Sequence, residues 1–461
     1  MNSDCLAELQ RIAQEVADEG HCPSISWGIV AGGTLAHHGF VGALNDGAAP
    51  TAQTVYRIAS MTKSFTAATV LALRDEGVWS LDDAVARYAP ELRTVTGPPG
   101  SPPITLRHVL SMTSGLATDD AWADRHLDFT AAEIDAIYAG GPTFAQRPNA
   151  RYEYSNLGFA MIGRAIERAT GIRAQQHITD RFLDPLALHD TTWVQPAHDN
   201  WGRPYRVEDE KIVRDTPVPI GDGELSPMGG LWSTVADLAK WVAWFDSANT
   251  EPAQVGGGLS TASRREMQRV HTYIGVTTVA GRTCPAGYGF GLNVRHDPTL
   301  GTIVAHAGGL PGYGSNMRWF AGRGMGVIAM SNTFYAPMSV LTMRLMAALH
   351  EHKAVPSTPA AVAPAWESAA RRLVDLLNDW DDAVAANLFE DNVALDDSFE
   401  RRRAEAAALI TANGRLRIID MRPTSAANGD FDVQGSGKTI RIYMEQSPSP
   451  GAPIQVYTIH G

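Results

Sequence analysis

The sequence is poor in cysteine, in lysine and in long apolar runs. Its 461 residues hold three cysteines, Cys5, Cys22 and Cys284, far apart and without paired spacing. That pattern excludes a disulfide framework, a zinc knuckle and a redox dithiol motif, and leaves reduced, structural thiols. Lysine occurs only at positions 63, 211, 240, 353 and 438. With a formal net charge of −12 the chain has no basic stripe to neutralise phosphates, so nucleic acid is excluded as a partner. No segment has the apolar length of a membrane span. Met1 to Gly20 mixes Asp4, Glu8, Arg11, Glu15, Asp18 and Glu19 with apolar residues at helical spacing, unlike the continuous apolar stretch of a secretory signal. It reads as a surface helix, and the chain as cytoplasmic with no membrane partner. His-x-x-x-His and His-Glu-x-x-His spacings are missing, and Gly32-Gly33 lacks the rest of a phosphate loop. Neither a metal nor a cofactor is implied.

What is present divides into two parts. The length predicts two packed units. Residues 1–352 form the larger. A linker at 353–365 is marked by Pro356, Pro359 and Pro364 among Ala, Val, Ser and Thr without apolar periodicity. Residues 366–461 form a small domain: a helical stretch from Trp366 to about Leu388, then alternating runs at Arg415 to Ile419 and Thr439 to Met444, which predict a small barrel or sheet packed on a helix.

In the larger part, Ser24 to Val30 and Thr34 to Val41 read as a two-stranded antiparallel start around Gly32-Gly33. Strand-like runs return only at Gly289 to Val294, Thr302 to Ala305, Met317 to Phe320 and Gly326 to Ser331. The stretch between is helical or irregular, with helices expected at Thr66 to Glu76, Leu106 to Met112, Phe159 to Ile166 and Val235 to Phe245. An α+β fold follows: an antiparallel sheet joining both ends of the domain, flanked by helices and interrupted by a mostly helical insertion.

Three short motifs carry chemistry. Ser60-Met61-Thr62-Lys63 follows the strand-like Val55 to Ile58 and enters an apolar helix. If that helix begins at Ser60, positions i and i+3 share a face and the Lys63 amine lies beside the Ser60 hydroxyl, near the favourable field of a helix amino terminus. A serine hydroxyl needs a base, and a desolvated lysine can lose its proton and serve. Alone, the pair reads as a helix cap and a solvated first-turn lysine. Tyr154-Ser155-Asn156 sits where a loop enters a helix. A phenol near an ammonium is pushed toward phenolate, so Tyr154 can relay the serine proton, and Asn156 offers an amide to orient Lys63 or a substrate carbonyl. His306-Ala307-Gly308-Gly309 ends a strand; the imidazole can donate to substrate or to Tyr154, and the Gly309 N–H can join that of Ser60 as an oxyanion hole. Taken singly, these are a buried tyrosine with an N-capping Asn and a satisfied edge histidine. His37-His38-Gly39 and Lys438-Thr439 are decoys for the third motif.

In this order the three motifs resemble the signature of serine β-lactamases and penicillin-binding proteins, specifically the class C-like branch. Ile104 to Leu110, Thr113-Ser114-Gly115-Leu116, Gly229 to Thr234 and Tyr288-Gly289-Phe290-Gly291-Leu292 are similar to its connecting segments, and the likeness covers roughly Cys22 to Leu349. It implies a β-lactamase/transpeptidase-like catalytic domain with Ser60, Lys63, Tyr154 and His306 as catalytic residues and Asn156 and Gly309 binding substrate. Class C β-lactamases carry Lys-Thr-Gly where this chain has His306-Ala307-Gly308, a place held by histidine in related esterases, D-aminopeptidases and stand-alone thioesterases. A catalytic domain with one small carboxy-terminal domain is similar to the penicillin-binding-protein-type thioesterases of nonribosomal peptide assembly. That likeness implies a lipocalin-like, mainly-β second domain, a peptidyl thioester substrate acylating through a D-residue, a peptidyl carrier protein as partner, and release as a head-to-tail macrolactam. A D-amino-acid-specific amidase, peptidase or esterase uses the same residues with water as acceptor, and a penicillin or peptide sensor acylates once without turnover.

Overall fold

Helix α1, Ser3–Glu19, forms because Cys5, Leu9, Ile12, Ala13 and Val16 recur at helical spacing and because the Asn2 side chain accepts from the Cys5 amide at 2.9 Å. Those apolar residues are buried, while Arg11 pairs with Glu8 and Glu15 on the outer side. The computed structural model describes all residues except 45–46, 216–220, 250–256, 358–362 and 461, and among them no helix is long and apolar enough to cross a membrane. The described residues fall into two compact units, Met1–Ser357 and Thr358–Gly461.

The first unit is built on an eight-stranded antiparallel sheet. Its strands are β1 Ser24–Ala31, β2 Thr34–Gly42, β3 Thr272–Val279, β4 Arg282–Tyr288, β5 Asn293–Asp297, β6 Gly301–Leu310, β7 Tyr313–Phe320 and β8 Met325–Ser331, in the order β2-β1-β8-β7-β6-β5-β4-β3. The two ends of the unit meet where β1 pairs with β8, Ile25 opposite Ser331. Alternation sorts the side chains. Trp27, Ile303, Phe320, Val327 and Ala329 face a core shared with α1 and with α5, Met338–Glu351, whereas Val304, Met317, Trp319, Ile328 and Met330 join the larger core on the other side.

That larger core holds α2, Thr62–Asp75, α3, Asn156–Thr170, and α4, Val235–Asp246. Every residue of α2 from Thr62 to Leu73 is buried, including the polar Thr62, Lys63, Ser64, Thr66 and Thr69. Phe65 stacks on Trp241 of α4 with ring centroids 3.8 Å apart, and the Trp241 indole donates to Ser64 Oγ at 3.0 Å. The helix that carries Lys63 is thereby gripped on several sides.

Two expectations are corrected. Gly289 to Val294 is not a strand: β5 begins only at Asn293, and Gly289 to Leu292 make the turn out of β4. Gly291 sits there at φ +67°, where an added Cβ would lie 2.7 Å from the Lys63 carbonyl, so this position needs glycine on two counts. The hairpin β3–β4 itself was not expected, because β3 is an edge strand that turns Tyr273 and Val276 outward and shifts register between Tyr273 and Gly275, so its apolar residues do not alternate cleanly.

In the second unit, α6, Pro364–Asn378, begins at the proline expected to close the linker; residues 358–362 of that linker lie outside the described residues. The expected helix to Leu388 breaks at Asp381, whose carboxylate caps a new helix, Asp382–Leu388. A further helix, Phe399–Asn413, precedes four strands, Arg417–Pro423, Asn428–Gln434, Ile440–Gln446 and Ile454–His460, paired in chain order. The first and last do not pair with each other, so the sheet is open where the likeness implied a closed, lipocalin-like barrel. Trp366, Leu373, Leu377, Phe431, Ile442 and Ile454 make its core, and the Trp366 indole donates to the Met444 carbonyl at 3.0 Å.

Burial makes α1 part of the first unit rather than an appendage. Replacing fully buried Leu9 by Ala is expected to lower stability by about 2–5 kcal/mol, read as a shifted urea midpoint; an unchanged midpoint would show that the helix does not pack as described.

Candidate active site

The chain approaches Ser60 through Tyr56 and Arg57, which pair with Trp232 and Ser233, and then turns at Ala59, held at φ +49°. A left-handed alanine is strained, by of order 1–3 kcal/mol, and such strain collects at functional turns. Ala59 to Met61 form one 3₁₀ turn and α2 starts at Thr62, two residues later than expected. The consequence of the i, i+3 spacing survives, because a 3₁₀ turn places such residues one above the other. Lys63 Nζ lies 3.0 Å from Ser60 Oγ.

Lys63 is wholly buried. Its ammonium has three donors and three acceptors: Ser60 Oγ, Asn156 Oδ1 at 2.6 Å and the Met228 carbonyl at 2.8 Å. Only Ser60 among these can donate back. When Lys63 is neutral, its two remaining N–H groups stay on the amide and carbonyl oxygens and the lone pair faces the serine hydroxyl. Burial drives the amine down to about 8, against the upward pull of Asp120, Asp124 and Asp119.

Tyr154 stands beside this pair, its ring centroid 5.0 Å from Lys63 Nζ. The expectation of a phenolate is corrected: burial first, then Tyr288 and Asp120, push the phenol well above its ordinary value, and the hydrogen bond with Ser60 opposes them only in part. A buried phenol beside carboxylates keeps its proton, so of this pair only a neutral Lys63 amine is free to accept one.

Asn156 meets Lys63, the first of the two partners expected for it. Its oxygen takes the Lys63 proton donor, and its Nδ2 donates to Asp120 at 2.7 Å and to Asp119 at 3.2 Å. With 0% exposure it holds Lys63 from behind and is not among the residues that line the cavity beside Ser60. Asp119 in turn accepts from the backbone amides of Asn156 and Leu157 at 2.7 and 2.8 Å, holding the first turn of α3 in place.

His306, on β6, does not reach Tyr154. Nδ1 lies 2.6 Å from the Ala307 carbonyl, which can only accept, so Nδ1 carries the proton and Nε2 accepts from the Tyr288 hydroxyl at 3.0 Å. Burial, and then the Lys63 charge, hold the imidazole down to about 3, so it is neutral at working pH. Tyr288 stands against Tyr154 edge to face, centroids 6.5 Å apart, and links the two. The sequence reading missed Tyr288 as a site residue, although it opens the stretch Tyr288 to Leu292 noted for its likeness.

The ladder parity positions Gly309. The Thr302 carbonyl accepts from Ala321, so residues 302, 304, 306, 308 and 310 bond to β7 while odd-numbered residues turn the other way. β5 ends opposite Ala305, which leaves the N–H groups of Ala307 and Gly309 on a free edge. Gly308 lets this edge approach the nucleophile turn: a Cβ there would lie 2.2 Å from the Ile58 carbonyl, which already accepts from Ser315 Oγ at 2.9 Å. The edge opens on a cavity of about 500 Å³ lined by Ser60, Tyr154, His306, Asp120, Asp124 and Tyr335 among others. The last three were not anticipated.

A family model described as Beta-lactamase matches residues 9–351. The chain is 28% identical over 339 residues to Esterase EstB of Burkholderia gladioli, covering 64% of this chain and 82% of that protein. It is 27% identical to Penicillin-binding protein 4* of Bacillus subtilis, covering 65% of this chain and 66% of that protein. It is 28% identical to Protein flp of Staphylococcus aureus over 52% of this chain, spanning about half of that relative's length (49%). In fold it resembles the octameric penicillin-binding protein homologue from Pyrococcus abyssi, with a TM-score of 0.65 at 20% identity over 98% of this chain and 95% of that one.

With Lys63 as the base, acylation needs the neutral amine, so kcat/KM for a nitrophenyl ester is expected to rise as pH increases through about 8 and then level off. A rate that instead falls across that range would remove Lys63 from the role of base.

Proposed function

Because this chain belongs to the beta-lactamase family of serine hydrolases, we propose that it is an acyl-Ser60 catalyst that takes a peptidyl group from a carrier-bound thioester and passes it to the peptide's own amino group, releasing a macrolactam. The observation that carries the first step is the Lys63 amine, buried with one reversible partner, the Ser60 hydroxyl. Neutral Lys63 takes the hydroxyl proton as Oγ attacks the thioester carbonyl. The Ser60 and Gly309 N–H groups hold the oxyanion, a contribution worth roughly 3–4 kcal/mol per well-placed donor. The C–S bond breaks, and the thiol leaves with the proton relayed through Tyr154. In the second step the amine forms the C–N bond, the ester C–O bond breaks, and Ser60 regains its proton through Lys63.

Two features favour a peptidyl group over a small ester. The free edge of β6 offers backbone donors that suit an extended peptide. The chain also has a small second unit, in keeping with an enzyme that meets a carrier protein. His306 acts through Tyr288, neutral and without the cationic charge of a lysine. A second reading, hydrolysis of small esters, is favoured by the similarity to Esterase EstB.

Ser60→Ala is expected to lower turnover by about 10⁴-fold or more and to abolish labelling by a fluorophosphonate probe, and the Ser60→Ala, Lys63→Ala double variant should be no slower than the single ones. Full retained activity would dispose of the acyl-enzyme. A peptidyl N-acetylcysteamine thioester ending in a D-residue separates the two readings by mass spectrometry: cyclic product supports the transferase, linear acid alone the hydrolase.

A further inference from the structure

A second cavity, of about 600 Å³, shares no lining residue with the one beside Ser60. Its volume is that of a small-molecule site. The residues around it come from the short helix Val85–Tyr88, the 3₁₀ turn Pro90–Thr94, the loop 95–104 and, on α3, Met161.

The lining is apolar and poor in donors. Val85, Leu92, Ile104 and Met161 are buried side chains, and the loop carries Pro98, Pro99, Pro102 and Pro103, which have no N–H to offer. Proline also stiffens the backbone, and the loop is fastened: Arg147 donates to the Pro99 carbonyl at 3.2 Å, and the Ser101 amide to the Pro98 carbonyl at 3.0 Å. At Gly97 an added Cβ would lie 2.8 Å from Ser101 Oγ and 2.9 Å from Pro148 Cδ, so the chain closes tightly there. The cavity is shaped before any ligand arrives, and water inside it finds few partners.

Two polar groups of this lining are uncommitted. Ser101 Oγ is shut away from solvent without a hydrogen-bond partner, a state that buried polar atoms rarely keep. Nothing bonded holds it in its present rotamer, so it can turn to an acceptor at no cost in hydrogen bonds. Arg93 is exposed and has no carboxylate partner among the described residues. The acids nearest to it in the chain are engaged: Asp83 accepts from Arg87 at 2.8 Å, and Glu91 from Arg164 and Arg168 at 3.0 and 2.9 Å. Arg87, the other cation of the lining, is thereby neutralised, and Arg93 is not.

An apolar interior with one free guanidinium calls for a ligand that is apolar along its length and singly anionic at one end. A carboxylate suits Arg93, whose planar fork donates to both oxygens, whereas a doubly charged phosphate would meet a single cation. We propose that this cavity binds a monocarboxylate with a long unbranched alkyl tail, the carboxylate on Arg93 and the tail against Leu92, Ile104 and Met161. Binding is reversible and breaks no covalent bond. Met161 lies five residues beyond Asn156 on α3, so the bound tail rests on the helix whose first residue holds Lys63.

The test uses the full chain and dodecanoic acid carrying a photoreactive diazirine in its tail, with the labelled sites mapped by mass spectrometry after trypsin digestion. Saturable labelling is expected on peptides 88–93 and 94–107, displaced by dodecanoate and about tenfold less well by dodecanol, which has the tail without the charge. Arg93→Glu should weaken the labelling about tenfold while turnover of a nitrophenyl ester is kept. Labelling found only outside these two peptides, labelling that does not saturate, or equal displacement by dodecanol and dodecanoate overturns the proposal. These three outcomes are read on the unmodified protein, whatever the fate of the variant. A folded Arg93→Glu protein that labels as well as the unmodified one overturns it too.

Discussion

One ammonium group taken wholly out of water organises the catalytic unit. Placing Lys63 in the interior costs several kcal/mol in lost hydration, and the protein offsets it with three acceptors and nearby carboxylates. Each acceptor comes from a different part of the chain. Asn156 opens α3, Met228 belongs to the short helix Ser226–Gly229, and Ser60 lies in the turn before α2. Helices that might otherwise pack in several registers are thus pinned to one point. The burial that disfavours the charge is also what leaves the amine partly unprotonated near pH 8, so stability and reactivity draw on the same interaction.

Around this point the backbone is forced rather than relaxed. Ala59 and Tyr335 both occupy the left-handed region, which side chains of either kind rarely adopt. Gly291 lies beneath the Lys63 carbonyl, and Gly308 lets a strand touch the nucleophile turn. The aromatic stack of Phe65, Trp241 and Trp244 and the fully buried α2 supply the packing that holds such geometry. A scaffold of this kind positions a hydroxyl, an amine and two backbone donors without waiting for substrate to order them.

How much of this could be read from the sequence depended on whether a contact had a local signature. The Ser60 and Lys63 pair is an i, i+3 spacing, and the strand before His306 is an apolar run; both were legible. The partner of His306 was not. Tyr288 lies 18 residues away and Asp124 and Tyr335 are 211 apart, distances over which no periodicity speaks. The state of Tyr154 was misjudged for a different reason: neighbouring charges can be guessed from a motif, whereas the desolvation that outweighs them is a property of the whole fold. Asn156 was given a choice between lysine and substrate, and only coordinates show every polar atom of its side chain occupied. In the second unit, Asn428–Gln434 alternates Asp430 and Asp432 with Phe431 and Val433, a strand pattern too short and acidic to stand out, and it lies in the middle of the sheet.

The pairing of β1 with β8 has a consequence for how the protein is made. The Ser24 amide and hydroxyl both donate to Asn332 Oδ1, 308 residues further on. At ordinary translation rates the amino-terminal hairpin leaves the ribosome roughly 15–60 s before the strand that must lie beside it. During that interval the apolar edge of Ile25, Trp27 and Ile29 has no neighbour on its inner side. Until Met325–Ser331 has been synthesised, this strand is an open template on which another molecule could pair.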